Sequence, residues 1–242
     1  MNTKMKVLSL ALVGMGGFAF AGVAAAACPA GPDIAHGGAW TADNQLGGTA
    51  VIATPGYAGT ACRLDSTLTG DASSFATVED DSPSAEPRYR AQFIIDADNL
   101  TSLGLVDASY IFTAQSSTGT VPVSLSIVGD GSGGHLVSYF VPDSTSSSGS
   151  DSGSFALVAG PNYVEFDVDN GADGTPHFSI WVNNNVEASP NFTTTTFNNG
   201  SAVVDTAFLG LAGPTPGYVG SSDALAVGFD QFDSRRTTFI GY

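Results

Sequence analysis

Lysine is nearly missing from this chain. Lys4 and Lys6 are its only lysines, and both lie at the extreme N-terminus. Beyond them the basic residues are five arginines, Arg63, Arg88, Arg90, Arg235 and Arg236, set against 23 acids. No acid lies in residues 1–27, so removing that segment takes the formal charge from −16 to −18. Such a surface repels nucleic acid and anionic membranes. It also disfavours acidic polysaccharides unless calcium bridges the contact. Charged residues of either sign make up only 12% of the chain, while glycine reaches 30 residues, a balance that fits short strands and many turns.

Cysteine is scarce as well. Cys28 and Cys62 are the only two, and in an exported protein two cysteines imply one disulfide. Closing a loop of that length is worth about 3–4 kcal/mol, mainly through the unfolded state. The three histidines, His36, His135 and His177, stand apart in sequence, so no zinc-type cluster is visible. Neither a Ser-His-Asp elbow nor a phosphate loop is present. No helical period runs beyond a turn or two, and no internal repeat is found.

The one long apolar run is N-terminal. Lys4 and Lys6 precede Val7–Phe20, and Ala24–Ala27 supply small residues for cleavage. This is the pattern of a secretory signal peptide over residues 1–27, with a membrane anchor as the rival reading. It points to a secreted, periplasmic or cell-surface protein with no transmembrane segment after cleavage. A lipoprotein signal is a narrower alternative, because Cys28 follows Ala25-Ala26-Ala27 directly. Ala25 is a poor fit to the bulky aliphatic residue that signal requires, and lipidation would leave Cys62 unpaired.

What remains, residues 28–242, reads as one all-β domain and a monomer. The clearest stretch is Asn162–Asn184. Val164, Phe166 and Val168 alternate with Glu165, Asp167 and Asp169, and after a Gly/Asp turn Phe178, Ile180 and Val182 alternate with His177, Ser179, Trp181 and Asn183. Period-2 alternation buries one face and leaves the other to solvent. The spacing also predicts strands over 88–96, 108–114, 121–128, 135–141, 202–211 and 224–232. Shorter ones are expected at 40–42, 49–53, 63–69, 76–79 and 155–158. Residues 143–154, DSTSSSGSDSGS, read as a long mobile hairpin loop. About a dozen short strands with frequent turn signals predict a sandwich or a barrel. The strands are too short and irregular for a membrane barrel.

Three patches carry a family resemblance: SPSAEPRYRAQF at 82–93, FSIWVNN at 178–184 and ALAVGFDQFDSRRTTFIG at 224–241. Together they resemble the concanavalin A-like lectin/glucanase sandwiches in their laminin-G-like bacterial form. The resemblance implies an antiparallel jelly-roll β-sandwich with one concave face. It does not imply one activity, because this fold hosts lectins, hydrolases, lyases and structural modules. Asp230, Asp233, Arg235 and Arg236 fall in the closing motif, where carboxylate pairing would pin the last strand. Arg88 and Arg90 read the same way.

Three candidate chemistries share the Asn162–Asn184 stretch. Glu165, Asp167 and Asp169 are similar to the Glu-x-Asp-x-Glu strand of the family-16 glycoside hydrolases, which implies Glu165 as nucleophile and Asp169 as acid/base of a retaining enzyme. Asp169 departs from that pattern, being one methylene short and set against Asn170-Gly171. Asp167, Asp169 and Asp173 are oxygen-rich enough to invite calcium. The EF-hand register fails, because the twelfth position is Phe178 or Ile180. Finally Trp181, with Tyr163 or Tyr110, would stack on sugar rings, while Asn183, Asn184 and Asn185 bound hydroxyls. The favoured expectation is non-catalytic recognition of a polysaccharide or cell-surface glycan. The alternatives are the hydrolase and a structural or protein-binding surface domain.

Overall fold

The structure is a computed structural model that describes residues 28, 40–68, 72–100, 104–105, 107–143, 149–171, 174–195, 198–200, 202–219 and 225–242. Residues 1–27, the expected signal peptide, lie outside them, as do His36 and Asp173.

The alternating segments fold into two antiparallel seven-stranded sheets. The first sheet runs, edge to edge, β1 (Ala42–Leu46), β4 (Phe75–Asp80), β13 (Thr206–Ala212), β6 (Ala108–Gln115), β7 (Val123–Gly129), β8 (His135–Pro142) and β9 (Ser150–Ala156). The second runs β12 (Phe192–Thr194), β11 (His177–Val182), β10 (Asn162–Asp169), β5 (Arg88–Asp96), β14 (Leu225–Arg235), β3 (Arg63–Leu68) and β2 (Gly48–Ala53). A single helical turn, α1 (Pro216–Val219), follows β13. Neighbours such as β4, β13 and β6 are far apart in sequence, so neither sheet can assemble from one stretch of chain.

The apolar faces meet between the sheets. Phe112 of the first sheet lies against Tyr89, Phe93 and Phe166 of the second, with ring centroids 4.9–6.5 Å apart. Tyr139 lies similarly against Phe178 and Phe192, at 5.0 and 5.2 Å. These tilted and offset pairs add specific geometry to the area they bury. The inward sets expected for β10 and β11 are all buried, as are Tyr89, Ala91, Phe93 and Ile95 of β5. Cys28 and Cys62 are joined as expected. That bond fits an oxidising compartment such as the periplasm or the cell exterior. Among the described residues no helix is long and apolar enough to cross a membrane.

Two segment expectations change. The first strand is Ala42–Leu46 rather than 40–42, with Gly47 turning the chain at φ 62° into β2. The second half of the Ser/Gly/Asp tract is not loop. Residues Ser150–Ala156 pair with Leu136–Pro142 as the edge strand β9. A strand of alternating small polar residues carries no hydrophobic signal, so periodicity could not find it.

Candidate functional site

The outer face of the second sheet holds the residues singled out from sequence, and here the expected exposure is corrected. Trp181 is 4% exposed, Glu165 4%, and Asp167 and Asp169 2% each. Over Glu165 and Trp181 the cover is the chain's own C-terminal segment. Glu165 Oε1 accepts the Ile240 N–H and Oε2 accepts the Gly241 N–H, each at 3.0 Å. Phe239 packs on Trp181 at 5.5 Å, and Tyr242 stacks on Tyr163 at 3.9 Å. Asn185 donates its side-chain amide to the Tyr242 carbonyl.

Beneath that cover the charges neutralise one another. Arg90 Nε lies 2.8 Å from Glu165 Oε1, and its guanidinium sits over the rings of Trp181 and Phe239 at 4.8 and 5.0 Å. Arg90 also reaches the half-exposed Glu187 at 3.3 Å. Arg88 holds Asp167 with two bonds, at 3.1 and 2.7 Å, and His177 Nε2 lies 3.3 Å from the same carboxylate. Burial would raise the Asp167 pKa, but the hydrogen bonds from His177 and Arg88 and the charge of Arg90 outweigh it and hold the carboxyl below its usual range. The Asp167 hydrogen bond raises the His177 pKa against the opposing effect of burial.

The individual residues follow from this packing. Glu165 has both oxygens occupied by backbone donors. Asp169 Oδ1 accepts the Gly171 N–H at 2.7 Å. The Trp181 indole donates to the Val186 carbonyl at 3.1 Å and keeps no open ring face. Asn183 sits at φ 52°, and its amide closes the turn through Tyr163 and Asn162. Among the described residues no group of three or more His, Cys, Asp or Glu is arranged to hold a metal ion. The pairing expected of the closing motif is present in part: Arg235 binds Asp233 at 2.7 Å within β14 and Arg236 pairs with Glu86, whereas Asp230 accepts the Tyr57 N–H at 2.6 Å in place of an arginine.

The open surface is on the other sheet. Two adjoining hollows, about 360 and about 560 Å³, lie along its outer face and share Phe75, Tyr110, Thr113, Gln115 and Ala212. The first extends over β1, β4 and β13 to Asn44, Thr77, Glu79 and Phe208, and the second over β7 and β8 to Ser124 and Phe140. Tyr110 and Phe140 are each 46% exposed. Strand spacing makes the whole run, β1 to β8, about 24 Å across.

A bulge builds this surface. Tyr110 and Thr113 are three residues apart, so an unbroken strand would point them to opposite faces. Pairing of β6 with β7 slips between Tyr110 and Phe112, and Ile111 and Phe112 are both buried. The extra residue puts Tyr110, Thr113 and Gln115 on one side. A second irregularity in β13 falls at Gly210, at φ 128°, where an added Cβ would meet the Ala76 carbonyl oxygen at 2.3 Å. Sequence reading named Tyr110 but gave no sign of the groove. A bulge has no periodicity of its own, and the lining comes from strands distant in sequence.

No family model matches the chain, and no curated protein matches it. Solved structures do match in fold. The cellulose induced protein Cip1 aligns with TM-score 0.53 and 15% identity over 79% of this chain and 87% of its own. Alginate lyase vAL-1 from Chlorella virus aligns with TM-score 0.51 and 11% identity, covering 83% of this chain and 94% of its own. The botulinum neurotoxin serotype C1 binding domain aligns with TM-score 0.51 and 10% identity over 79% of this chain, which spans only 43% of that one. These are β-sandwich jelly-roll proteins, consistent with the concanavalin A-like architecture.

Proposed function

We propose that this protein is an exported carbohydrate-binding domain, and that the groove on the outer face of the first sheet holds a polysaccharide chain without cleaving it. The observation that carries the reading is the lining itself. Tyr110 offers a half-exposed ring, the kind of face that packs on the apolar side of a pyranose. Beside it stand Thr77, Thr113 and Gln115, whose side chains make no hydrogen bond within the described residues. Polar groups in a hollow without protein partners are the groups that fix a ligand's orientation. The groove is longer than a single sugar needs, which favours a chain. Two of the fold neighbours, a cellulose induced protein and an alginate lyase, are named for polysaccharides, which accords with this reading.

Binding is favoured over hydrolysis by the carboxylate count. Retaining and inverting glycosidases need two carboxyl groups across the scissile bond. Glu79 is the only carboxylate among the described residues lining the two hollows. The test is affinity electrophoresis of the purified protein against a panel of soluble polysaccharides, with and without calcium, beside assays for reducing ends and for unsaturated sugar products. Retardation by at least one polysaccharide without product release is the expected result. Release of product would replace the reading with an enzyme, and absence of retardation on every polysaccharide would sink it.

A further inference from the structure

We infer that the groove selects an uncharged polysaccharide and rejects polyuronates, an inference that rests on the carbohydrate-binding reading above and names its ligand class. The two hollows are lined by aromatic, hydroxyl and amide groups, and among the described residues neither contains a lysine, arginine or histidine. A polyuronate carries a carboxylate on every sugar, and each one placed in a hollow needs a cation or several N–H or O–H donors to replace its water. Among the described residues the lining offers only neutral donors, the amides of Gln115 and Asn44 and the hydroxyls of residues such as Thr113 and Tyr110, with no positive charge, and Asn44 already gives one bond to Glu79 at 2.7 Å.

Glu79 makes the preference active. Its Oε2 accepts the Asn44 amide, so the acid is fixed at the wall between β1 and β4 rather than free to swing away. The same carboxylate would accept bonds from the hydroxyls of a neutral sugar and would repel a uronate. The field beyond the groove has the same sign, since the sequence carries 23 acids against seven basic residues. Four of the five arginines that follow the N-terminal segment are engaged at the second sheet or the chain's end, with Asp65, Asp167, Glu165 and Asp233 as their partners. The fifth, Arg236, pairs with Glu86. None of the five lines either hollow. The polyuronate chemistry in the name of one fold neighbour is therefore not matched by the side chains on this face.

The experiment compares retardation of the whole protein by neutral polymers (a mixed-linkage β-glucan, a xylan and a galactomannan) with retardation by alginate and polygalacturonate. It is run in chelator, at low and at high ionic strength, for the wild type and for Glu79→Gln. A neutral polymer is expected to bind with little dependence on salt, and the uronates far more weakly at the same concentrations. Glu79→Gln should raise the ratio of uronate to neutral affinity roughly tenfold, the size of one partly solvated charge contact. Uronate binding as tight as neutral binding, or a ratio unmoved in Glu79→Gln, overturns the selectivity while leaving the glycan reading intact. Failure of every polymer, neutral and acidic, overturns both.

Discussion

The carboxylate of Glu165 accepts the backbone N–H of Gly241 at 3.0 Å, across 76 positions of sequence. With the matching bond from Ile240, it ties the end of the chain to the middle of the second sheet. Glu165 is also the counter-ion of the buried Arg90. Its substitution by glutamine should therefore act on stability first. We expect Glu165→Gln to cost about 3 kcal/mol in urea unfolding, because the buried Arg90 guanidinium loses the nearest of its three carboxylate partners and Asp167 and Glu187 make up only part of that charge. A loss of activity on a glycan substrate at unchanged stability would instead revive a catalytic role.

The His177 and Asp167 pair gives a pH signature. His177 has its pKa raised in the folded state above the ordinary 6.5, so its contribution is fully present below pH 6.5 and fades as the pH rises through the folded value. Asp167 has its pKa lowered below 3.8, so its contribution is present above that pH and fades as the pH falls through the folded value. The pair should stabilise most between the two. Urea midpoints of the wild type and His177→Asn, measured from acid to mildly alkaline pH, should differ most in the mildly acidic range. A gap that grows towards alkaline pH would contradict the assignment.

Gly210 should not tolerate a side chain. Its backbone has φ 128°, and a Cβ would lie 2.3 Å from the Ala76 oxygen. Gly210→Ala is expected to destabilise by about 1–3 kcal/mol, the range for a residue held in a sparsely populated conformation. Thermal unfolding measures it, and an unchanged midpoint would mean that the β13 irregularity relaxes freely.

The Cys28–Cys62 bond closes a separation of 34 residues. Replacing both cysteines by alanine should lower stability by about 3–4 kcal/mol, chiefly by freeing the unfolded chain. Denaturant unfolding of the variant, and of the wild type under reductant, should agree. A reductant effect that persists in the double variant would point to something other than this bond.

Much of the sandwich could be read in advance, because alternation is a local property. The inward residues of β10 and β11 were legible, as were the pairing of Cys28 with Cys62 and the structural use of Arg88, Arg90 and Arg235. The fate of the opposite face was not. Glu165, Asp167 and Trp181 have the alternation of exposed residues, yet residues 239–241 return over Glu165 and Trp181 from far along the chain, and Arg88, Arg90 and His177 close around Asp167. Ile94 is fully buried on the same side of β5, so that strand is covered on both faces. The groove was hidden for a related reason. It depends on a one-residue slip in β6 and on β4, β13 and β6 lying side by side, and neither is written in any single segment.

The most direct measurement is retardation of three proteins in one gel series containing a neutral polysaccharide: the wild type, Tyr110→Ala and Trp181→Phe. If the groove of the first sheet is the binding surface, Tyr110→Ala loses retardation by roughly tenfold or more, the effect of removing a central aromatic contact, and Trp181→Phe keeps it. Loss in Trp181→Phe with Tyr110→Ala unaffected would move the binding surface to the second sheet and contradict the proposal.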